Sequence, residues 1–208
     1  MNYFPLIGTV ALINVLGAVS PGPDFVVTVR NSLRYSRRSG TLTGLGVAFG
    51  LLVHVSYCAA GVGLILSNSV LLFSSMKALG GGYLLWLAYA SICSKSSKIS
   101  ISDAKEQHDL KPWKAFSMGF FTNVLNPKAM LFFLSLFTIV LNPVPPFWVI
   151  ATCAAVVFTT AIVWFWVVAV FFTNKKVQKT FLRIEKPVNI ILGLILGYLG
   201  IKVLLMLF

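Results

Sequence analysis

The 208-residue chain carries 17 Lys and Arg against 5 Asp and Glu, a formal charge of +12, yet only 11% of its residues are charged and 58% are hydrophobic. Soluble domains hold roughly 25% charged residues. With a mean hydropathy of +0.89, this inventory excludes a soluble enzyme or a separate soluble domain and predicts a polytopic, all-α membrane protein.

Apolar runs of about 20 residues, the length that crosses a hydrocarbon core as helix, fall near residues 4–29, 41–66, 70–93, 115–141, 147–172 and 188–207. Six transmembrane helices use nearly the whole chain and predict a single transmembrane domain over 1–208. The first run has no basic leading segment and no small-residue cleavage signal, so it is expected to remain in the mature protein. The bases gather between runs: Arg30, Arg34, Arg37 and Arg38 after the first, Lys95, Lys98, Lys105, Lys111 and Lys114 after the third, and Lys175, Lys176, Lys179, Arg183 and Lys186 after the fifth. The turns around Ser67 to Ser69 and Asn142 to Pro146 have none. The positive-inside rule then puts the three basic loops in the cytoplasm and both termini outside. The charge thus reports topology in the lipid bilayer, and no nucleic acid partner is expected. Cys58, Cys93 and Cys153 show no paired spacing and read as packing residues.

The polar segment from Ser94 to Trp113, with Asp103, Glu106, His108 and Asp109 among its lysines, divides the chain into repeat 1 (about 1–93), a cytoplasmic loop (94–113) and repeat 2 (about 114–208). Each repeat opens with a span interrupted by proline, NVLGAVSPGPDFVV over Asn14 to Val27 and FFTNVLNPKAMLFF over Phe120 to Phe133, with Pro21 in register with Pro127. The third span of each repeat shares Gly82-Tyr83-Leu84 and Gly197-Tyr198-Leu199. Three spans is an odd number, so the second repeat enters the membrane from the opposite side. Inverted three-helix repeats with interrupted helices at matching positions point to a secondary transporter whose site lies where the halves meet. Gly40-x-x-x-Gly44, Gly46-x-x-x-Gly50 and Gly193-x-x-x-Gly197 suit close helix packing within the bundle, and also suit a homo-oligomer.

The chemistry concentrates at the two breaks. In Ser20-Pro21-Gly22-Pro23-Asp24, the prolines end one helix and suit the first turn of another, whose free N–H groups attract a carboxylate. Asp24 either caps that half-helix or takes up a proton or a cargo ammonium. Lys128 follows Pro127 directly near mid-span, where a lysine costs roughly 2.5–3.5 kcal/mol on translocon scales, and at a helix start, where a cation is disfavoured. It calls for a partner, either Asp24 or the carboxylate of a carried molecule, unless it snorkels to the interface. Asn123 and Asn126 flank this break and either satisfy freed backbone groups or hold a zwitterion. His54 either relays a proton or bonds a neighbouring helix. Ser20, His54 and Asp24 make a poor hydrolase triad, since no Gly-x-Ser-x-Gly elbow is present. Walker and dinucleotide motifs are absent too, which argues against an ATP-driven pump.

At Ser20-Pro21-Gly22-Pro23-Asp24-Phe25, at Thr122-Asn123-Val124-Leu125-Asn126-Pro127-Lys128-Ala129 and in GGGYLLWLAY over Gly80 to Tyr89, the chain resembles the lysine exporter and homoserine/threonine resistance (LysE/RhtB) family of bacterial amino-acid exporters. The resemblance implies proton-coupled efflux of small amino acids through the bacterial inner membrane, with no cofactor, and looks nearest to the threonine and homoserine exporters. Some of those carry an acidic residue four positions before a Trp-Phe pair in span five. Here Thr160 precedes Trp164-Phe165, which leaves Asp24 as the buried carboxylate expected to couple. A non-transporting membrane scaffold that uses its glycine faces for partner helices is the alternative from another class. An ion channel or metal exporter suits a single carboxylate poorly.

Overall fold

In the computed structural model, which describes residues 3–68, 70–93, 108–140 and 145–205, the described residues form eight helices and no strand. These are α1 (Phe4–Val19), α2 (Pro23–Arg34), α3 (Arg37–Asn68), α4 (Val70–Ile92), α5 (Pro112–Val124), α6 (Pro127–Val140), α7 (Phe147–Phe171) and α8 (Lys175–Leu205). Lys95, Lys98, Asp103, Lys105 and Glu106, like the turn residues Ser69, Asn142 and Pro143, lie outside the described residues.

Both expected breaks are present. Pro21 has no N–H to give the carbonyl of Gly17, so α1 stops at Val19, and Pro23 opens α2 behind an extended Gly22. The two helices meet at 55°. Pro127 likewise cannot bond the carbonyl of Asn123, and α5 and α6 meet at 57°. Arg37–Ala60 of α3, all of α7 and Arg183–Leu205 of α8 are each long and apolar enough to cross a membrane, and each bent pair passes the same test as one span. That gives three to five candidate spans; α4 contributes a shorter apolar stretch, Ala78–Ile92.

Two boundaries differ from expectation. Arg30 and Arg34 lie in α2 and Arg37 and Arg38 open α3, so only Tyr35 and Ser36 separate the helices after the first run. The basic segment after the fifth run is not a loop, because α8 already begins at Lys175 and continues through Pro187. Its residues are mostly good helix formers, and Phe181 and Glu185, four apart, share the buried side of the helix. Glu185 is only 1% exposed, so Asp24 is not the only buried carboxylate of the chain, as the sequence had implied.

Helix α3 is the hub of the bundle, packed on α2, α5, α6 and α7, while α4 packs mainly on α8 and α6, and α1 on α7. The glycine faces are used inside the protomer. A Cβ on Gly46 would lie 2.0 Å from the carbonyl oxygen of Phe116, and one on Gly119 would lie 1.9 Å from that of Thr43, so α3 and α5 touch backbone to backbone. Outward, Phe4, Leu12, Phe121, Phe147, Trp166, Leu194 and Tyr198 are exposed, as suits helices that face lipid.

The end of the central polar segment is pinned to the turn between α2 and α3. Ser36 donates to Asp109 Oδ2 at 2.7 Å, Ser39 donates to Oδ1, and the Leu110 N–H donates to Oδ1 at 2.9 Å. These bonds, that of Ser39 foremost, hold the Asp109 carboxyl below its ordinary range, with help from the charge of Arg38. The elbow before α3 is thereby tied to the start of the second half.

Candidate functional site

Asp24 and Lys128 each occupy the second position of the half-helix that a proline opens. The dipole there favours Asp24 and opposes Lys128. Neither side chain serves its own helix. Asp24 Oδ2 crosses to the other break, accepting from Asn123 Nδ2 at 3.0 Å and from Asn126 Nδ2 at 3.1 Å. Lys128 crosses in the reverse direction, past Gly22, to donate from Nζ to Ser20 Oγ at 3.0 Å. The acid of the first break is thus held by amides of the second, and the base of the second by a hydroxyl of the first. Asp24 and Lys128 make no salt bridge with each other; neutral groups hold both.

Asn126 does two jobs. Its Oδ1 accepts the backbone N–H of Lys128 at 3.0 Å, capping α6, which turns its amide nitrogen toward Asp24. Asn123 gives its nitrogen to Asp24 and leaves Oδ1 buried without a partner. Gly50 makes room for it, since a Cβ there would lie 2.7 Å from Asn123 Oδ1. His54, 1% exposed, places Nε2 3.0 Å from the Asn123 carbonyl, the group that Pro127 cannot bond, and Nδ1 2.7 Å from Tyr57 Oη. It therefore closes the break in α5 and α6 from outside the cavity. Ser20, His54 and Asp24 face different partners and form no triad.

A cavity of about 70 Å³ lies between the breaks. Ser20, Gly22, Asp24, Asn126 and Lys128 form its charged end, and Phe25, Val47, Leu51, Phe132, Phe133 and Phe165 much of its apolar wall. Pro21, Pro23 and Pro127 shape it through the backbone, while His54 and Asn123 stand behind it. Asp24 Oδ1 is buried and accepts no hydrogen bond, and Lys128 has further N–H donors beyond the one bonded to Ser20. A carboxylate with an unused oxygen and an ammonium with unused hydrogens can together bind the two ends of a zwitterion. Asn14, on α1, also lines the cavity, bonded to Thr160 on α7. Sequence alone marks Thr160 only as the neutral residue before Trp164-Phe165 and assigns Asn14, set amid ALINVLGAV, no role.

The family model for LysE type translocators matches residues 15–207. The chain is similar to the threonine efflux protein of Escherichia coli (strain K12), 27% identical over 203 residues that span 95% of this chain and 96% of the relative. It is 30% identical to the membrane protein YahN of the same organism over 191 residues, 91% of this chain and 85% of the relative. To the membrane protein YrhP of Bacillus subtilis (strain 168) it is 29% identical over 143 residues, 65% and 64% of the two chains. No solved structure matches it.

Proposed function

We propose, from the premise that this chain belongs to the LysE-type translocator family, that it exports small amino acids of the threonine and homoserine kind, or other neutral or basic ones, from the cytoplasm in exchange for protons. The family consists of membrane transporters, not enzymes, and includes amino-acid exporters. The observation that carries the reading is the cross-held pair of charges at the cavity. In the resting site Asp24 and Lys128 rest on neutral groups that a zwitterion displaces at little cost. Lys128 and the N-termini of α2 and α6 take the cargo carboxylate, and Asp24 takes the ammonium or, once the cargo has left, a proton. Alternation of ammonium and proton on one carboxylate is the coupling.

We read the bundle as six spans, the three single helices, the two bent pairs and α4, in two inverted repeats. The packing of α1 on α7 and of α5 on α3 supports this, because the broken span of each half leans on the middle span of the other. The basic segments after α2, α4 and α7 then face the cytoplasm, with both termini outside, in the inner membrane of a bacterium. Against the scaffold alternative stand Gly44, Gly46, Gly50 and Gly193, each packed on another helix of the same chain.

Proteoliposomes holding only the purified protein test the proposal. Labelled threonine loaded inside is expected to leave several-fold faster when a pH gradient directs protons inward, and a protonophore abolishes that acceleration. Efflux equal to that of empty liposomes overturns the exporter reading, and efflux insensitive to the gradient overturns the proton coupling.

A further inference from the structure

At the end of the cavity away from the charges stands a polar residue with no assigned role. Asn14 is 3% exposed and lines the cavity. Its Nδ2 donates to Thr160 Oγ1, and Thr160 directs its own hydroxyl hydrogen back to α7, to the carbonyl of Val156 at 2.7 Å and that of Val157 at 3.1 Å. A threonine has one hydrogen to give. With that hydrogen on the helix, Oγ1 can only accept from Asn14, and this fixes the asparagine with its nitrogen toward α7 and leaves Oδ1 as its available acceptor.

The surroundings make that acceptor selective. Gly17, Val47, Leu51, Phe132, Phe133 and Phe165, which line the cavity with it, offer no side-chain hydrogen bond. Asn14 lies six residues before Ser20, the residue that caps the end of α1, roughly 9 Å by helical rise. A small molecule anchored by its charged groups at the break therefore extends its remaining part toward Asn14. Between them Gly17 lets the Phe132 ring close on α1, since a Cβ there would lie 2.9 Å from it, so this wall of the cavity is apolar.

We propose that Asn14, oriented by Thr160, reads the cargo's side chain, its Oδ1 accepting a hydrogen bond from a hydroxyl or amide and so selecting that side chain over an apolar one of the same shape. The inference rests on the reading that this cavity carries amino acids. A buried acceptor left without its donor is penalised, so discrimination against an isostere should reach roughly ten- to a hundred-fold.

Threonine and valine differ by a hydroxyl for a methyl, which makes their competition in counterflow into proteoliposomes the direct test. The wild-type protein is expected to prefer threonine by at least ten-fold, and the Thr/Val ratio is expected to fall to about one in Asn14→Leu. Thr160→Val, which removes only the hydroxyl and serves if Asn14→Leu fails to fold, should lower the ratio by releasing Asn14 from its fixed orientation. Fluxes of both amino acids falling together at an unchanged ratio would mean that Asn14 is structural and would overturn the inference. A wild-type protein that moves neither amino acid overturns the transport reading itself, and the inference with it.

Discussion

Lys128→Met, which keeps the aliphatic stem and removes the ammonium, is expected to lower amino-acid efflux by roughly 30-fold to several thousand-fold, and Asp24→Asn is expected to fall in the same range. The span is the cost of truncating one partner of a buried, hydrogen-bonded charge pair, here each residue with its end of the bound cargo, about 2–5 kcal/mol, converted at about 1.4 kcal/mol per factor of ten. Both substitutions preserve shape. Asn at position 24 can still accept from Asn123 or Asn126, and Met at position 128 gives up only the bond to Ser20. The proteins should therefore remain folded while losing one end of the proposed zwitterion site. Initial efflux rates from loaded proteoliposomes, paired with melting temperatures, separate the two effects. Since Asp24 and Lys128 hold no salt bridge, the loss cannot be ascribed to breaking one; full efflux in both variants would remove these residues from the site.

A second large effect is expected at the contact of α3 with α5. Gly119→Val would force a side chain into the Thr43 carbonyl, 1.9 Å from the nearest Cβ position, and backbone cannot rotate away as a side chain can. The helices must separate, and with them goes the bond from α3 to the break, His54 to the Asn123 carbonyl. Overpacking costs about 1–3 kcal/mol and occasionally more. At the upper end this lowers the melting temperature in detergent by roughly 6–12 °C. Gly82→Ala is the matched control, since nothing lies within 4 Å of a Cβ there, and it should melt with the wild type. Equal melting of Gly119→Val and the wild type would mean that this interface is looser than described.

How much of this was legible beforehand depends on the kind of residue. Proline acts on the backbone locally, so Pro21, Pro23 and Pro127 announced both helix breaks, and the two charges beside them marked the site. Where those charges point is a tertiary matter. Sequence offered capping, mutual pairing or cargo as partners, and the crossing of Asp24 to Asn123 and Asn126 and of Lys128 to Ser20 depends on how the breaks face one another. Asn14 was hidden by its apolar neighbours, because an isolated amide has no meaning until Thr160, far along the chain, is placed beside it. Clustered bases suggest loops after the first and fifth runs, yet Arg30 and Arg34 lie in α2, Arg37 and Arg38 in α3 and Lys175 to Lys186 in α8, since lysine and arginine suit a helix as well as a loop. Glu185 misled for the same reason, as nothing local says which side of that helix is covered.

The central claim is that one small cavity holds both charged ends of an amino acid, between Lys128 and Asp24. It is tested most directly by the melting temperature of the purified protein with threonine, with N-acetylthreonine, which lacks the ammonium, and with threoninol, which lacks the carboxylate. At a concentration a hundred times its dissociation constant, threonine should stabilise the protein by about 2.7 kcal/mol. Neither analogue should do so at that concentration, and Lys128→Met should abolish the effect of threonine. Equal stabilisation by all three compounds, or an undiminished response in Lys128→Met, would contradict the account.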